Sequence, residues 1–103
     1  MDFVELLPTR KRMKIVINCC FGGFSLSDRA RREYCLRKGI DSVNDWEIER
    51  NDPVLVAVVE SLGENACSNH SKLKIVQIPD EVKWQIQDYD GKEWVSEVHR
   101  TWN

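Results

Sequence analysis

The spacing of apolar positions changes along this chain, and each change marks an element. Lys14-Ile15-Val16-Ile17-Asn18 is a run of consecutive β-branched residues, the pattern of a strand packed on both faces. Phe21-Gly22-Gly23-Phe24 breaks it with a turn that two glycines permit. Ser25 or Ser27 then caps a helix running through Gly39, with Asp28 as the capping-box partner of Ser25. Leu26, Ala30, Tyr34 and Leu36 share one broad arc of that helix at about 100° per residue. Arg29, Arg31, Arg32, Arg37 and Lys38 fill most of the rest, and Gly39 is a natural residue to end it.

Residues 40–51 form a connector holding a candidate strand, Trp46-Glu47-Ile48-Glu49. Asp52 followed by Pro53 opens a second helix, with Val54, Leu55, Val58, Val59 and Leu62 as its core stripe and Gly63 at its end. Residues 64–71 are small and polar and predict the loosest loop. Leu73-Lys74-Ile75-Val76-Gln77-Ile78 is a strand stopped by Pro79-Asp80. Asp90-Gly91 is the dipeptide of a type I′ hairpin turn. Pairing about it sets Tyr89 opposite Lys92, Ile86 opposite Val95 and Trp84 opposite Glu97. Val82, Trp84, Ile86 and Val95 then face the core, while Lys83, Gln85, Gln87, Tyr89, Trp94, Ser96 and Val98 face away. Trp46 joins Trp84 among the expected core residues, and His99-Arg100-Thr101-Trp102 is expected to fold back over the sheet. This order predicts an α+β fold. Its mainly antiparallel sheet would have about four to five strands, two helices packed on it and a C-terminal β-hairpin. The first strand is expected parallel to a neighbour, because a helix follows it.

The 103 residues suffice for one domain that buries about 65% of its unfolded surface; residues 1–12 read as an N-terminal extension and residues 13–103 as the domain. No run nears the ~20 apolar residues of a membrane helix. The first residues lack the order of a signal peptide, which points to the cytoplasm and to reduced thiols at Cys19, Cys20, Cys35 and Cys67. The net charge of −2 conceals an asymmetry of +5 over residues 1–40 and −7 over residues 41–103. Such a dipolar chain suits self-association into a homodimer, or an anion at its basic end.

A strand, a Gly-Gly turn, a serine cap and a helix form the layout of an anion site, with backbone N–H groups and the helix dipole aimed at the ligand. The candidate ligand-binding residues are Asn18, Gly22, Gly23, Ser25, Ser27, Arg29, Tyr89, Glu93, His99 and Arg100. Neither the Walker lysine pattern nor the three-glycine dinucleotide fingerprint is present. The four cysteines and His70 lack the paired spacing of a zinc site, only Cys67 and His70 being suitably placed, so neither metal nor cofactor is expected. Cys20, near a helix N-terminus, is a candidate nucleophile if His70 or His99 approaches it. Glu93, Glu97 and His99 alternate on the last strand and would suit acid–base work, or decorate the sheet rim. Tyr89, Trp94 and Trp102 suit stacking on a base or anchoring a partner, Trp94 above all if no helix covers its face.

Lys14-Ile15-Val16-Ile17-Asn18, Gly22-Gly23-Phe24, Leu26-Ser27, Arg50-Asn51-Asp52-Pro53, Leu73-Lys74-Ile75-Val76, Tyr89-Asp90-Gly91, Glu93, Glu97 and His99-Arg100-Thr101-Trp102 together resemble a family of small, uncharacterised proteins of tailed bacteriophages and some large viruses. The resemblance covers residues 13–102. Family members usually begin at the equivalent of Met13, and many carry a tyrosine where this chain has Phe21. It implies a phage or viral protein working in the host cytoplasm and carries no activity with it. The combined expectation is a binding module without catalytic activity. It would hold a host protein or a nucleotide-like anionic ligand at the Gly-Gly turn and the first-helix N-terminus. The alternative is a small enzyme acting on a phosphorylated or nucleotide substrate through His99, Glu93 or Cys20. A second alternative, a nucleic-acid binder using Arg10, Lys11, Arg12, Lys14 and the helix arginines, is opposed by the net acidic charge.

Overall fold

The computed structural model describes residues 12–98. Over them the chain is α+β, with two helices and four antiparallel strands arranged as two two-stranded ribbons. The expected tail His99-Arg100-Thr101-Trp102 and most of the N-terminal extension lie outside the described residues.

Strand β1 (Arg12–Asn18) is buried at four successive positions, Ile15, Val16, Ile17 and Asn18, as a strand covered on both faces requires. It pairs antiparallel with β2 (Leu73–Pro79), Ile15 opposite Val76 and Asn18 opposite Leu73. The expected parallel neighbour is therefore corrected. Two helical passes of similar length, 11 and 10 residues, separate the strands and return the chain to the end of β1 it left. A single helix would instead have carried it back to the start.

Helix α1 (Asp28–Lys38) is capped by Ser27, whose hydroxyl accepts the Ala30 amide, so the box between Ser25 and Asp28 does not form. Gly39 ends it in the left-handed conformation. Its buried arc holds Ala30, Tyr34 and Cys35, while Leu36, expected inside, is 71% exposed. The arc is turned because Arg31 sits within it, neutralised by Asp45 and Asp28; a charged residue at the middle of a packed face misleads a pattern built on apolar positions alone. Helix α2 (Pro53–Leu62) keeps its predicted limits and buries Leu55, Val56, Val58 and Val59. The core joins both helices to Val16, Leu26 and Ile48.

The candidate strand at residues 46–49 is also corrected. Asp45–Glu47 is a single 3-10 turn, closed by the Asn44 amide donating to the Glu47 carboxylate at 2.8 Å. Ile48 points inward, and Trp46, expected in the core, is 82% exposed. Residues 64–71 are not an unstructured loop. Gly63–Ala66 forms a 3-10 turn, and Ser68 and Ser71 bond to each other and to Ser25.

Strands β3 (Trp84–Tyr89) and β4 (Lys92–Glu97) form the expected hairpin in the expected register, with Asp90 and Gly91 both at positive φ. They make a separate ribbon rather than extending one continuous sheet. Ile78, Val82, Trp84 and Val95 line a shared cleft between the ribbons, and Ile15 and Ile17 are buried on the β1 face opposite Val16. Among the described residues, no helix is long and apolar enough to cross a membrane.

Candidate functional site

Asn18 lies at the meeting point of three loops and is fully buried. Its side-chain NH2 donates to the carbonyls of Cys20 (2.6 Å) and Gly91 (2.8 Å), and its oxygen accepts the Lys72 amide (2.7 Å). One amide group thus joins the end of β1, the start of β2 and the hairpin tip. The loops touch so closely that only glycine fits between them. A Cβ on Gly22 would stand 1.7 Å from the His70 carbonyl oxygen, and one on Gly91 would stand 2.5 Å from that of Phe21. Gly22 is needed for space, whereas Gly23, at φ +91° with nothing nearby, is needed for its backbone angle.

Behind this junction Glu93 projects inward from β4. Its carboxylate accepts the Asn18 backbone amide (2.9 Å) and both terminal nitrogens of Arg50 (2.6 and 2.9 Å). The Arg50 guanidinium also lies 3.7 Å from the Phe24 ring centre and bonds the Val16 carbonyl. Forked geometry, a ring face and a backbone acceptor together hold the arginine in one position. Both carboxylate oxygens of Glu93 are engaged, Oε1 twice and Oε2 once, in contacts that hold the fold together.

This lock stiffens what lies in front of it. Phe21 leaves the turn and Tyr89 leaves the hairpin, their rings edge to face at 6.5 Å between centres. The Lys92 ammonium lies 5.6 Å from the Phe21 ring. Register places Gln87 and Trp94 on the same outer face as Tyr89 and Lys92. Phe21 is 59% exposed, Tyr89 71% and Trp94 48%. Among the described residues, no helix covers this face.

The start of α1 is satisfied from within the chain. Ser27 donates to the Asn65 carbonyl while capping Ala30, Ser25 bonds Ser68, and the Asp45 carboxylate takes the Leu26 amide. Arg31 forks onto Asp45, and that hydrogen bond raises its pKa against the effect of burial. Arg37 pairs with Glu33 and Lys38 with Asp52, so the helix is less positive than its sequence. Arg29 stands exposed at its first turn.

The structure therefore brings together Asn18, Gly22, Gly23, Tyr89 and Glu93 of the predicted set, but leaves Ser27 and Arg29 on the helix end. His99 and Arg100 lie outside the described residues. All four cysteines are free thiols. Cys20 donates to the backbone carbonyl of His70 at 3.2 Å, a contact that makes no use of the imidazole. No group of three His, Cys, Asp or Glu residues among those described is arranged to hold a metal. Arg50, Phe24, Phe21 and Lys92 stand outside the predicted set. For Arg50 a signal existed: it is the sole base in residues 41–52, among Asp41, Asp45, Glu47, Glu49 and Asp52. Comparison with protein-family models, with curated proteins and with solved structures returns no match.

Proposed function

We propose that this chain is a binding module without catalytic activity, of phage or viral type, that seizes a host protein through the aromatic face at the hairpin tip. The observation that carries this reading is the exposure of Phe21, Tyr89 and Trp94 beside Lys92 on a backbone held by Asn18 and the Arg50–Glu93 pair. Tyrosine and tryptophan are among the side chains that dominate protein–protein affinity. A surface already rigid loses little entropy when it is covered. Asp88, Asp90 and Glu97 stand on the same hairpin and repel a nucleic-acid backbone, which favours a protein over RNA or DNA. A nucleotide-like ligand at the start of α1 has less support, because Ser25, Ser27 and the Leu26 amide already have partners.

The test is cross-linking through Lys92 in a bacterial lysate, followed by mass spectrometry, for the full chain and for Tyr89→Ala and Trp94→Ala. The expected result is one enriched protein cross-linked at Lys92 and lost from both variants, whose unfolding midpoints are unchanged. Capture that persists in both variants overturns the reading. A small molecule carried through native mass spectrometry and released on denaturation would replace it with the anionic-ligand alternative.

A further inference from the structure

Each β-strand has two hydrogen-bonding edges, and the C-terminal half of β1 uses both inside the molecule. In an antiparallel ribbon, residues alternate between pairs whose backbone groups face the neighbouring strand and pairs whose groups face away. The Cys19 amide donating to the Lys72 carbonyl (2.7 Å) sets the phase. Ile17 with Lys74 and Ile15 with Val76 bond inward, so Arg12, Lys14, Val16 and Asn18 on β1 and Leu73, Ile75, Gln77 and Pro79 on β2 turn outward. On β1 the Val16 amide donates to the Arg50 carbonyl (2.8 Å), the Val16 carbonyl accepts from the Arg50 guanidinium and the Asn18 amide donates to Glu93 (2.9 Å), so the second ribbon and the segment before α2 cover that edge at its C-terminal end. The ends of β2 are taken as well, by Cys67 Sγ at the Leu73 amide and by the Val82 amide at the Pro79 carbonyl. Between those ends, Ile75 and Gln77 each present an N–H and a C=O that find no partner among the described residues.

We infer that this open edge is the interface with a second copy of the chain, two β2 strands pairing antiparallel about a two-fold axis at Val76. That axis sets Ile75 opposite Gln77 of the partner subunit and uses all four free backbone groups of each strand. Moving it to Ile75 or to Gln77 wastes part of the edge, because the Leu73 amide is engaged and Pro79 has no N–H. Charge points to the same occupant and orientation. The strand is entered from Lys72 and left through Asp80, both exposed. Antiparallel pairing at Val76 sets Lys72 opposite Asp80 of the partner subunit, twice by symmetry, and Lys74 opposite Ile78 of the partner subunit. A parallel partner copy would set like charges together. Edges that stay single in solution carry proline, bulges or several charges; on this one the proline stands only at the far end, Pro79, and the stretch from Leu73 to Ile78 carries one charge, Lys74. The result is a four-stranded sheet in the order β1-β2-β2-β1. This inference is independent of the aromatic-face reading.

The experiment is sedimentation of the full chain over a concentration series, for wild type, Lys72→Glu, Asp80→Lys, their equimolar mixture and the double variant. Both side chains are exposed, and circular dichroism checks that each variant is folded. The expected result is a wild-type dimer whose dissociation constant rises about tenfold in either single variant, since two symmetric charge pairs turn repulsive. The mixture and the double variant restore it, because each again sets opposite charges across the axis. Gln77→Pro removes an outward N–H without touching the β1–β2 ladder and should also give monomers. A wild-type monomer at every concentration overturns the inference, as does a dimer indifferent to these charges. Slow hydrogen exchange at Ile75 and Gln77 in a monomer overturns it too, and assigns the edge to another segment of the same chain.

Discussion

Arg50 and Glu93, 43 residues apart, meet in a forked ion pair in which the two terminal guanidinium nitrogens each donate to one carboxylate oxygen, at 2.6 and 2.9 Å. The Glu93 side chain is 7% exposed and that of Arg50 21%. The pair joins the second ribbon to β1 and to the segment before α2, and so determines where the aromatic face stands.

Removing one partner of such a pair leaves an uncompensated buried charge. Arg50→Ala should therefore destabilise the fold by about 3–5 kcal/mol in chemical denaturation. Glu93→Gln sets an amide NH2 against one Arg50 N–H and leaves the guanidinium unpaired, but that charge is the less buried of the two, so the loss should be smaller, about 1–3 kcal/mol. A Glu93→Gln loss as large as that of Arg50→Ala would show that the two charges are equally dependent on each other.

Asn18 offers a sharper contrast. Asn18→Asp changes a donor into an acceptor facing the carbonyls of Cys20 and Gly91. It should cost at least about 3 kcal/mol, from two unsatisfied carbonyls and a carboxylate beside Glu93. Hydrogen exchange would find the loss centred on residues 89–93, with the amides of α2 opening only at the reduced global stability.

The two glycines of the turn should respond in opposite order to intuition. Gly23 has the unusual backbone angle, and Gly23→Ala should cost about 1 kcal/mol. Gly22→Ala adds a methyl that cannot coexist with the His70 carbonyl. The 67–71 segment must move, and the loss should exceed that of Gly23→Ala in thermal unfolding.

Asp52 and Tyr34 set both ends of the pH profile. Burial raises the Asp52 pKa, but hydrogen bonds from the Tyr34 hydroxyl (2.6 Å), the Val54 amide (2.8 Å) and Lys38 outweigh it and hold the carboxyl below its usual value. A lowered folded pKa contributes stability above about pH 4 that is lost as pH falls through the folded value. Burial first, and then the hydrogen bond to Asp52 and the charge of that carboxylate, raise the pKa of Tyr34. Its contribution is whole below about pH 10 and is lost as pH climbs beyond that. Tyr34→Phe should remove the alkaline decline and lower neutral-pH stability by about 1 kcal/mol. A phenolate absorbance titration of the variant should lack the late-ionising step.

Features that rest on neighbouring residues are legible in the order of the residues. A run of β-branched residues implies β1 buried on both faces, Asp52 with Pro53 starts α2, and Asp90-Gly91 determines every pair of the β3–β4 hairpin. Each follows from backbone angles, capping groups or side-chain alternation, which act within a few residues. Trp46 shows the limit: an apolar ring reads as core, yet Ile48 fills the core while Asp45 is drawn to Leu26 and Arg31.

The gathering of Asn18, Gly22, Gly23, Tyr89 and Glu93 at one end of the molecule was decided only by tertiary structure. So were the split into two ribbons, the role of Arg50 and the edge of β2 that the other described residues leave uncovered. Ion pairs, loop contacts and strand edges connect residues through space, and nothing in the spacing along the chain records them. Local propensities determined which elements form; desolvation, charge pairing and the close approach of three loops determined what those elements present at the surface.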